Sequence, residues 1–114
     1  MIAVIFEVQP HKNKEQDYFE IAARLNSELQ AINGFISVER FESVNSPGKF
    51  LSLSFWENEN AVSEWRNTIN HRSAQQKGRE QIFENYRIRV AQVIRDYEIN
   101  SRLTAPEDSN KYHK

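Results

Sequence analysis

Apolar positions recur along this chain with two different periods, and the switches between them divide it into elements. Residues 2–9 are rich in β-branched and apolar side chains (Ile2, Val4, Ile5, Phe6, Val8) and run into Gln9-Pro10. That pattern predicts a strand inside a sheet, stopped by a residue that cannot donate to the ladder. From Asn13 to Ile32 the period becomes helical: Tyr18, Ile21, Ala22, Leu25, Leu29 and Ile32 fall on one stripe. Asn13 and Gln16 stand where an N-cap and its reciprocal partner would stand, and Asn33-Gly34 predicts the helix end.

Phe35 to Val44 reads as a strand whose apolar phase shifts between Val38 and Phe41, as at a bulge or in a strand covered on both faces. Asn45-Ser46-Pro47-Gly48 predicts a turn. Phe50 to Trp56 then alternates, sending Leu51, Leu53 and Phe55 to one face and Phe50, Ser52, Ser54 and Trp56 to the other, so the two strands form a hairpin. Asn58 or Asn60 can cap a short helix that buries Val62, Trp65 and Ile69, and a second short helix is predicted from about Asn70 to Lys77, before Gly78.

Ile82 to Tyr97 fits both periods. Phe83, Tyr86, Val90, Val93 and Tyr97 are spaced like a helical stripe, whereas Tyr86, Ile88 and Val90 alternate with Arg87 and Arg89 as in a strand. The density of β-branched residues favours the strand, and so does the order β-α-β-β-α-β, which completes a ferredoxin-like α+β sheet. A strand of that length would span roughly 50 Å, beyond the diameter of about 35 Å expected for a compact domain of this size. It must bend or reach a second subunit, and the latter predicts a homodimer. Residues 1–97 thus read as one domain and 98–114 as a loose polar tail containing Pro106.

Composition narrows the function classes. The chain has 114 residues, 15 Lys and Arg against 16 Asp and Glu, and a formal net charge of −1, with no block of like charge. Nucleic acid is therefore not an expected partner. Without cysteine there is no disulfide, thiolate metal site or catalytic thiol, and the start shows no secretion signal. No apolar stretch approaches the roughly 20 residues that span a bilayer, so no membrane is expected and a cytoplasmic location is. His11 follows Pro10 in a turn, His113 lies in the tail, no second histidine or carboxylate stands at specific ligand spacing to His71, and the three isolated glycines form no phosphate loop.

The densest chemistry lies at Trp65-Arg66-Asn67 and His71. His71 is the one side chain of the predicted folded region that ordinarily titrates near neutral pH, which makes it the candidate general base. Trp65 is either core or a cavity wall whose indole N–H donates to a substrate oxygen. Arg66, Asn67 and Arg79 could orient an anionic or phenolic substrate, or they could form a solvated helix face. Phe6, Phe55 and Tyr18 are expected to line the space between sheet and helices, and Tyr86 to pack in the core.

Ser54-Phe55-Trp56-Glu57, Ala61-Val62-Ser63-Glu64-Trp65, His71-Arg72-Ser73-Ala74-Gln75 and Tyr86-Arg87-Ile88-Arg89-Val90-Ala91-Gln92-Val93 resemble the antibiotic biosynthesis monooxygenase superfamily. That is the dimeric α+β barrel group, which also contains the haem-degrading monooxygenases, and the similarity covers residues 2–97. The resemblance implies a ferredoxin-like homodimer with a cavity between sheet and helices in each subunit. It further implies a cofactor-independent oxidation of a small aromatic, quinol-like molecule by dioxygen, with His71 and Trp65 catalytic and Arg66, Asn67, Phe6 and Arg79 binding substrate. No metal is implied. The haem-degrading branch would place an asparagine on the first strand, where Glu7 stands, and an axial histidine ten residues after Trp65, where Gln75 stands. A different class stays open: a non-catalytic dimer that binds a small hydrophobic ligand or haem.

Overall fold

The structure, a computed structural model, describes residues 1–112, with the side chains of Ile69 and Asn70 outside the description. In chain order the elements are β1 (Ile2–Pro10), α1 (Glu15–Leu29), β2 (Phe35–Glu42), β3 (Phe50–Trp56), α2 (Glu59–Arg66), α3 (Ile69–Lys77), a wide π-turn (Gly78–Ile82), β4 (Phe83–Gln92) and α4 (Glu107–Tyr112). The strands form one antiparallel sheet in the order β2-β3-β1-β4, the ferredoxin-like arrangement expected from the sequence. β1 is the hub: Val4 faces Ser54 on one side and Val90 on the other, and Phe6 faces Ser52 and Ile88.

Alternation then assigns every side chain to a face. Ile2, Val4, Phe6 and Val8 point toward the helices with Phe50, Ser52, Ser54 and Trp56, and two packed clusters form beneath them. At one end of β3, Trp56 joins Leu29, Ala61, Val62 and Trp65. At the other end, Phe50 joins Val8, Tyr18 and Ile82. Trp56 is 1% exposed and its indole N–H donates to Ser54 Oγ at 2.9 Å, so burial leaves no orphaned donor there. The clusters are docked at loops: Gly34 (φ 96°) brings its carbonyl to Glu57 N at 2.7 Å, and a Cβ there would lie 2.9 Å from that of Ala61. Only glycine lets the turn after α1 meet the first turn of α2 so closely.

The molecule measures 51 × 34 × 20 Å, and its thinnest dimension holds one sheet and one layer of helices. The far face of the sheet is half-buried. It carries Ile5, Leu51, Leu53 and Phe55, crossed by Glu7, which pairs with Lys49 at 3.4 Å and Arg89 at 3.3 Å. Phe55 therefore faces away from the helices rather than into the core.

Several other boundaries differ from expectation for local reasons. Asn13 takes a left-handed φ of 69° and cannot cap; Lys14 stands at the cap position without a side-chain bond, and α1 begins at Glu15. That helix stops at Leu29, and Ala31 and Ile32 close tighter turns back to Glu28 and Leu29 before Gly34. The β2 irregularity falls between Phe35 and Ser37, ahead of the predicted phase shift. Asn58 caps α2 through Ala61 N at 2.9 Å, and Thr68 caps α3 through His71 N at 3.2 Å. Ile69 was expected in the apolar stripe of α2, and its side chain lies outside the description.

The last strand ends at Gln92 rather than Tyr97, short enough to stay within one subunit, so strand length gives no reason for a dimer. The described residues beyond it, 93–112, make hydrogen bonds of their own. Thr104 and Asp96 exchange two hydrogen bonds, Arg102 donates to Asn110 at 2.7 Å and Ser109 at 2.9 Å, and α4 closes the segment. His113 lies outside the described residues. Among the described residues no helix is long and apolar enough to cross a membrane.

Candidate active site

Two short helices and one long one do not suffice to cover a four-stranded sheet. On β4 the helix-side residues Tyr86, Ile88 and Val90 remain 37%, 48% and 47% exposed, although they continue the apolar rows begun by Phe6 and Val4. They form one wall of a cleft of about 820 Å³ bounded by α1, α3 and the sheet, a size ordinary for small-molecule sites. Gly78 sets its end. A Cβ there would overlap the ring of Phe83, which is itself held against Phe6, Tyr18 and Tyr86 at centroid distances of 5.8–5.9 Å. The chain can thus turn from α3 into β4 with an aromatic ring pressed on its backbone.

The cleft's most developed chemistry comes from α2 and α3. Trp65 is buried on α2 beside the Trp56 cluster. One Thr68-capped turn later His71 sets its imidazole edge-on to the indole, with ring centroids 4.7 Å apart. Its Nδ1 is buried and has no hydrogen-bond partner. Burial, then the Arg72 and Arg66 guanidiniums, lower the His71 pKa from 6.5 to about 4. The ring is therefore neutral at pH 7, a hydrogen-bonding group in a positive local field rather than a strong proton acceptor.

Of the six residues singled out from sequence, five meet in this cleft: Trp65, His71, Arg66, Arg79 and Phe6. Asn67 does not line it. Its amide donates to Ser63 O at 2.9 Å, and its Oδ1 accepts from Arg72 at 2.6 Å, so it braces Arg72 from behind. Tyr86 lines the cleft instead of packing in the core, its ring 6.0 Å from Phe6.

Sequence reasoning missed Arg72, and it placed Tyr18 only as packing. Tyr18 is 5% exposed, and its hydroxyl accepts from Arg40 Nε at 3.1 Å while the guanidinium carbon lies 5.3 Å over the ring. Burial outweighs that guanidinium and raises the Tyr18 pKa, so the phenol stays protonated. The available signal was Arg40 itself, an arginine two residues after Val38 on the inward phase of β2.

The haem-degrading pattern is not assembled. Glu7, at the position of the first-strand asparagine, points to the opposite face of the sheet and is paired there with Lys49 and Arg89. Gln75 reaches the cleft but is a poor iron ligand. Among the described residues no group of three His, Asp or Glu side chains could hold a metal ion.

The sequence model of a family described as antibiotic biosynthesis monooxygenase matches residues 1–77. A protein of Pyricularia oryzae named jasmonate monooxygenase is 46% identical over 93 residues, covering 82% of this chain but only 43% of that protein. The chain thus spans less than half of that relative's length. The uncharacterised protein YqjZ of Bacillus subtilis is 34% identical over 93 residues, covering 82% of this chain and 79% of its own. Among solved structures, Rv0793 of Mycobacterium tuberculosis superposes with a TM-score of 0.76 at 15% identity, covering 85% of this chain and 98% of that one.

Proposed function

Because the chain belongs to the antibiotic biosynthesis monooxygenase family, we propose that its cleft oxidises a small aromatic, quinol-like compound with dioxygen and without a bound cofactor. The observation that carries this reading is a neutral imidazole with a free buried Nδ1, set between an indole edge and two guanidiniums at the end of an apolar cleft.

With an anthrone-type substrate a ring CH₂, or its enol tautomer, becomes C=O and supplies all four electrons that reduce dioxygen, one oxygen atom entering the product and the other leaving as water. A simple quinol supplies two electrons, becomes the quinone and reduces dioxygen to hydrogen peroxide. The step that needs help is forming the electron-rich anion. A phenol near pKa 10 handing its proton to a group near 4 would climb about six units, roughly 8 kcal/mol, so His71 as it stands is a weak base. Arg66 and Arg72 assist. Burial, the larger cause of the depressed His71 pKa, would raise the pKa of a substrate hydroxyl, but the two guanidiniums lower it, and an anion seated among them raises the proton affinity of His71 in return. His71 then hydrogen-bonds the substrate oxygen, Trp65 and Phe6 hold the ring, and Arg79 closes the polar rim. The fungal relative's name supports oxygen insertion as the reaction class.

We also propose that the far sheet face with Ile5, Leu51, Leu53 and Phe55 is covered by a second copy, giving a homodimer; Leu53→Glu should then sediment as a monomer.

The direct test is oxygen uptake by purified protein with quinols and anthrones, no cofactor being added. Wild type should turn over at least one of them. His71→Ala should lower kcat/KM by about 10–100-fold, the weight of a hydrogen bond to a charged group, and Trp65→Phe should lower it as well. Ligand binding without any oxygen uptake would instead favour the carrier reading, and a Soret band with added haemin, lost in His71→Ala, would favour haem.

A further inference from the structure

The cleft has a second polar cluster that the oxidation does not use. Tyr18 comes from α1, Arg40 from β2 and Ser52 from β3, and all three line the cleft. Arg40 and Ser52 are direct cross-strand partners on the helix-side face, and Arg40 Nε donates to the Tyr18 hydroxyl at 3.1 Å. Three features set this cluster apart from packing. The Tyr18 hydroxyl is spent as an acceptor, so its own hydrogen is left without an acceptor among the described residues. No carboxylate of the described residues lies within ion-pair distance of the Arg40 guanidinium, whose two terminal nitrogens have no hydrogen-bond partner there. Ser52 is half-buried and makes no side-chain hydrogen bond among the described residues.

Arg40 is itself exposed, so water can serve its terminal N–H groups; held by ring and hydroxyl on the inward phase of β2, with an adjacent O–H donor and no ion-pair partner among the described residues, its guanidinium is open to an anionic acceptor that enters the cleft. The donor set is partly prearranged: the cation–π contact and the Nε bond hold the guanidinium against the Tyr18 ring and hydroxyl and leave its two terminal nitrogens for another acceptor. It also lies apart from His71. Tyr18 belongs to the cluster at Phe50 and Trp65 to the separate cluster at Trp56. Between them the floor is apolar, with Val4, Phe6, Ile88 and Val90.

We infer that Tyr18, Arg40 and Ser52 form an oxygen subsite that receives the carboxylate of an amphipathic substrate, whose ring lies along the apolar floor toward His71 and Trp65. The substrate class narrows from quinols in general to aromatic acids of quinol type. This rests on the oxygenase reading for the ring, but not for the carboxylate.

The test is anaerobic calorimetric titration with 1,4-dihydroxy-2-naphthoate and its methyl ester, followed by oxygen uptake with both. Wild type should bind the acid at least tenfold more tightly than the ester. Arg40→Gln should erase that preference while leaving ester affinity within about twofold, which also shows that the variant is folded. Tyr18→Phe should narrow the preference about threefold. Equal binding of acid and ester by wild type, a preference that survives Arg40→Gln, or no binding of either would overturn the subsite. An acid preference that Arg40→Gln abolishes, with no oxygen uptake from either compound, would keep the subsite and overturn the oxygenase.

Discussion

Trp56 at the end of β3 is 1% exposed, while Ile88 on β4, two strands away on the same face of the sheet, is 48% exposed. Both sit in rows of apolar side chains facing the helix layer, and both are flanked by apolar neighbours on β1. The difference between them is cover. Leu29, Val62 and Trp65 close over Trp56, whereas α3 and the π-turn pass Ile88 at a distance and leave a cleft. The strand pattern chooses the face; the helices decide whether that face becomes core or binding wall.

The comparison can be broken most forcefully at its closed end. Trp56→Ala should cost about 3–5 kcal/mol, because the indole leaves a hole that Leu29 and Trp65 cannot fill; the midpoint of denaturant unfolding measures it, and a loss below about 1 kcal/mol would mean the cluster is loosely packed. Next comes the hinge between the regions. Gly78→Ala drives a methyl into the Phe83 ring, which Phe6 and Tyr18 pin in place, for a loss of about 1–3 kcal/mol on the same assay.

At the open end the signature should invert. Ile88→Ala should change folding stability by no more than about 0.5 kcal/mol yet weaken ligand binding severalfold, roughly 1 kcal/mol of lost apolar contact. A stability loss as large as that of Trp56→Ala would show that the wall is buried in solution.

The last expected effect appears only as the solution is made acid. His71 titrates near 4 in the fold and near 6.5 when unfolded, so its burial favours the folded state fully above pH 6.5. That contribution drains away as pH falls from 6.5 through 4, where the unfolded chain takes up the proton first. His71→Gln should flatten the unfolding curve across that window, and identical slopes in both proteins would place the imidazole in solvent.

The range of each interaction decides how much of the molecule was legible in the sequence. The α1 stripe and the alternation of β3 are local, and both predict their elements. β4 was ambiguous because its registry with β1, from Ile2 against Gln92 onward, is a contact across the whole chain that no window of periodicity contains. Trp65 and His71 could be placed near each other from the sequence because they stand six residues apart across a capped turn. Asn67 was over-read: its bonds to Ser63 and Arg72 are neighbourly, and composition does not reveal that its amide is already engaged. The Tyr18–Arg40 pair spans 22 residues and two elements, and only the inward phase of Arg40 hinted at it.

The junction at Asn33-Gly34 has a chemical lifetime. An asparagine followed by glycine is open to attack on its side-chain amide by the next backbone nitrogen, with no Cβ in the way. The succinimide that forms reopens to aspartate or to isoaspartate, which inserts an extra carbon into the main chain. Here the next residue's carbonyl holds Glu57 and there is no room for even a Cβ between it and Ala61, so a lengthened backbone would shift the first turn of α2 and, with it, Trp65. Stored protein should therefore age into a more acidic species whose cleft is altered from outside, and the date of a preparation becomes one of the variables of its activity.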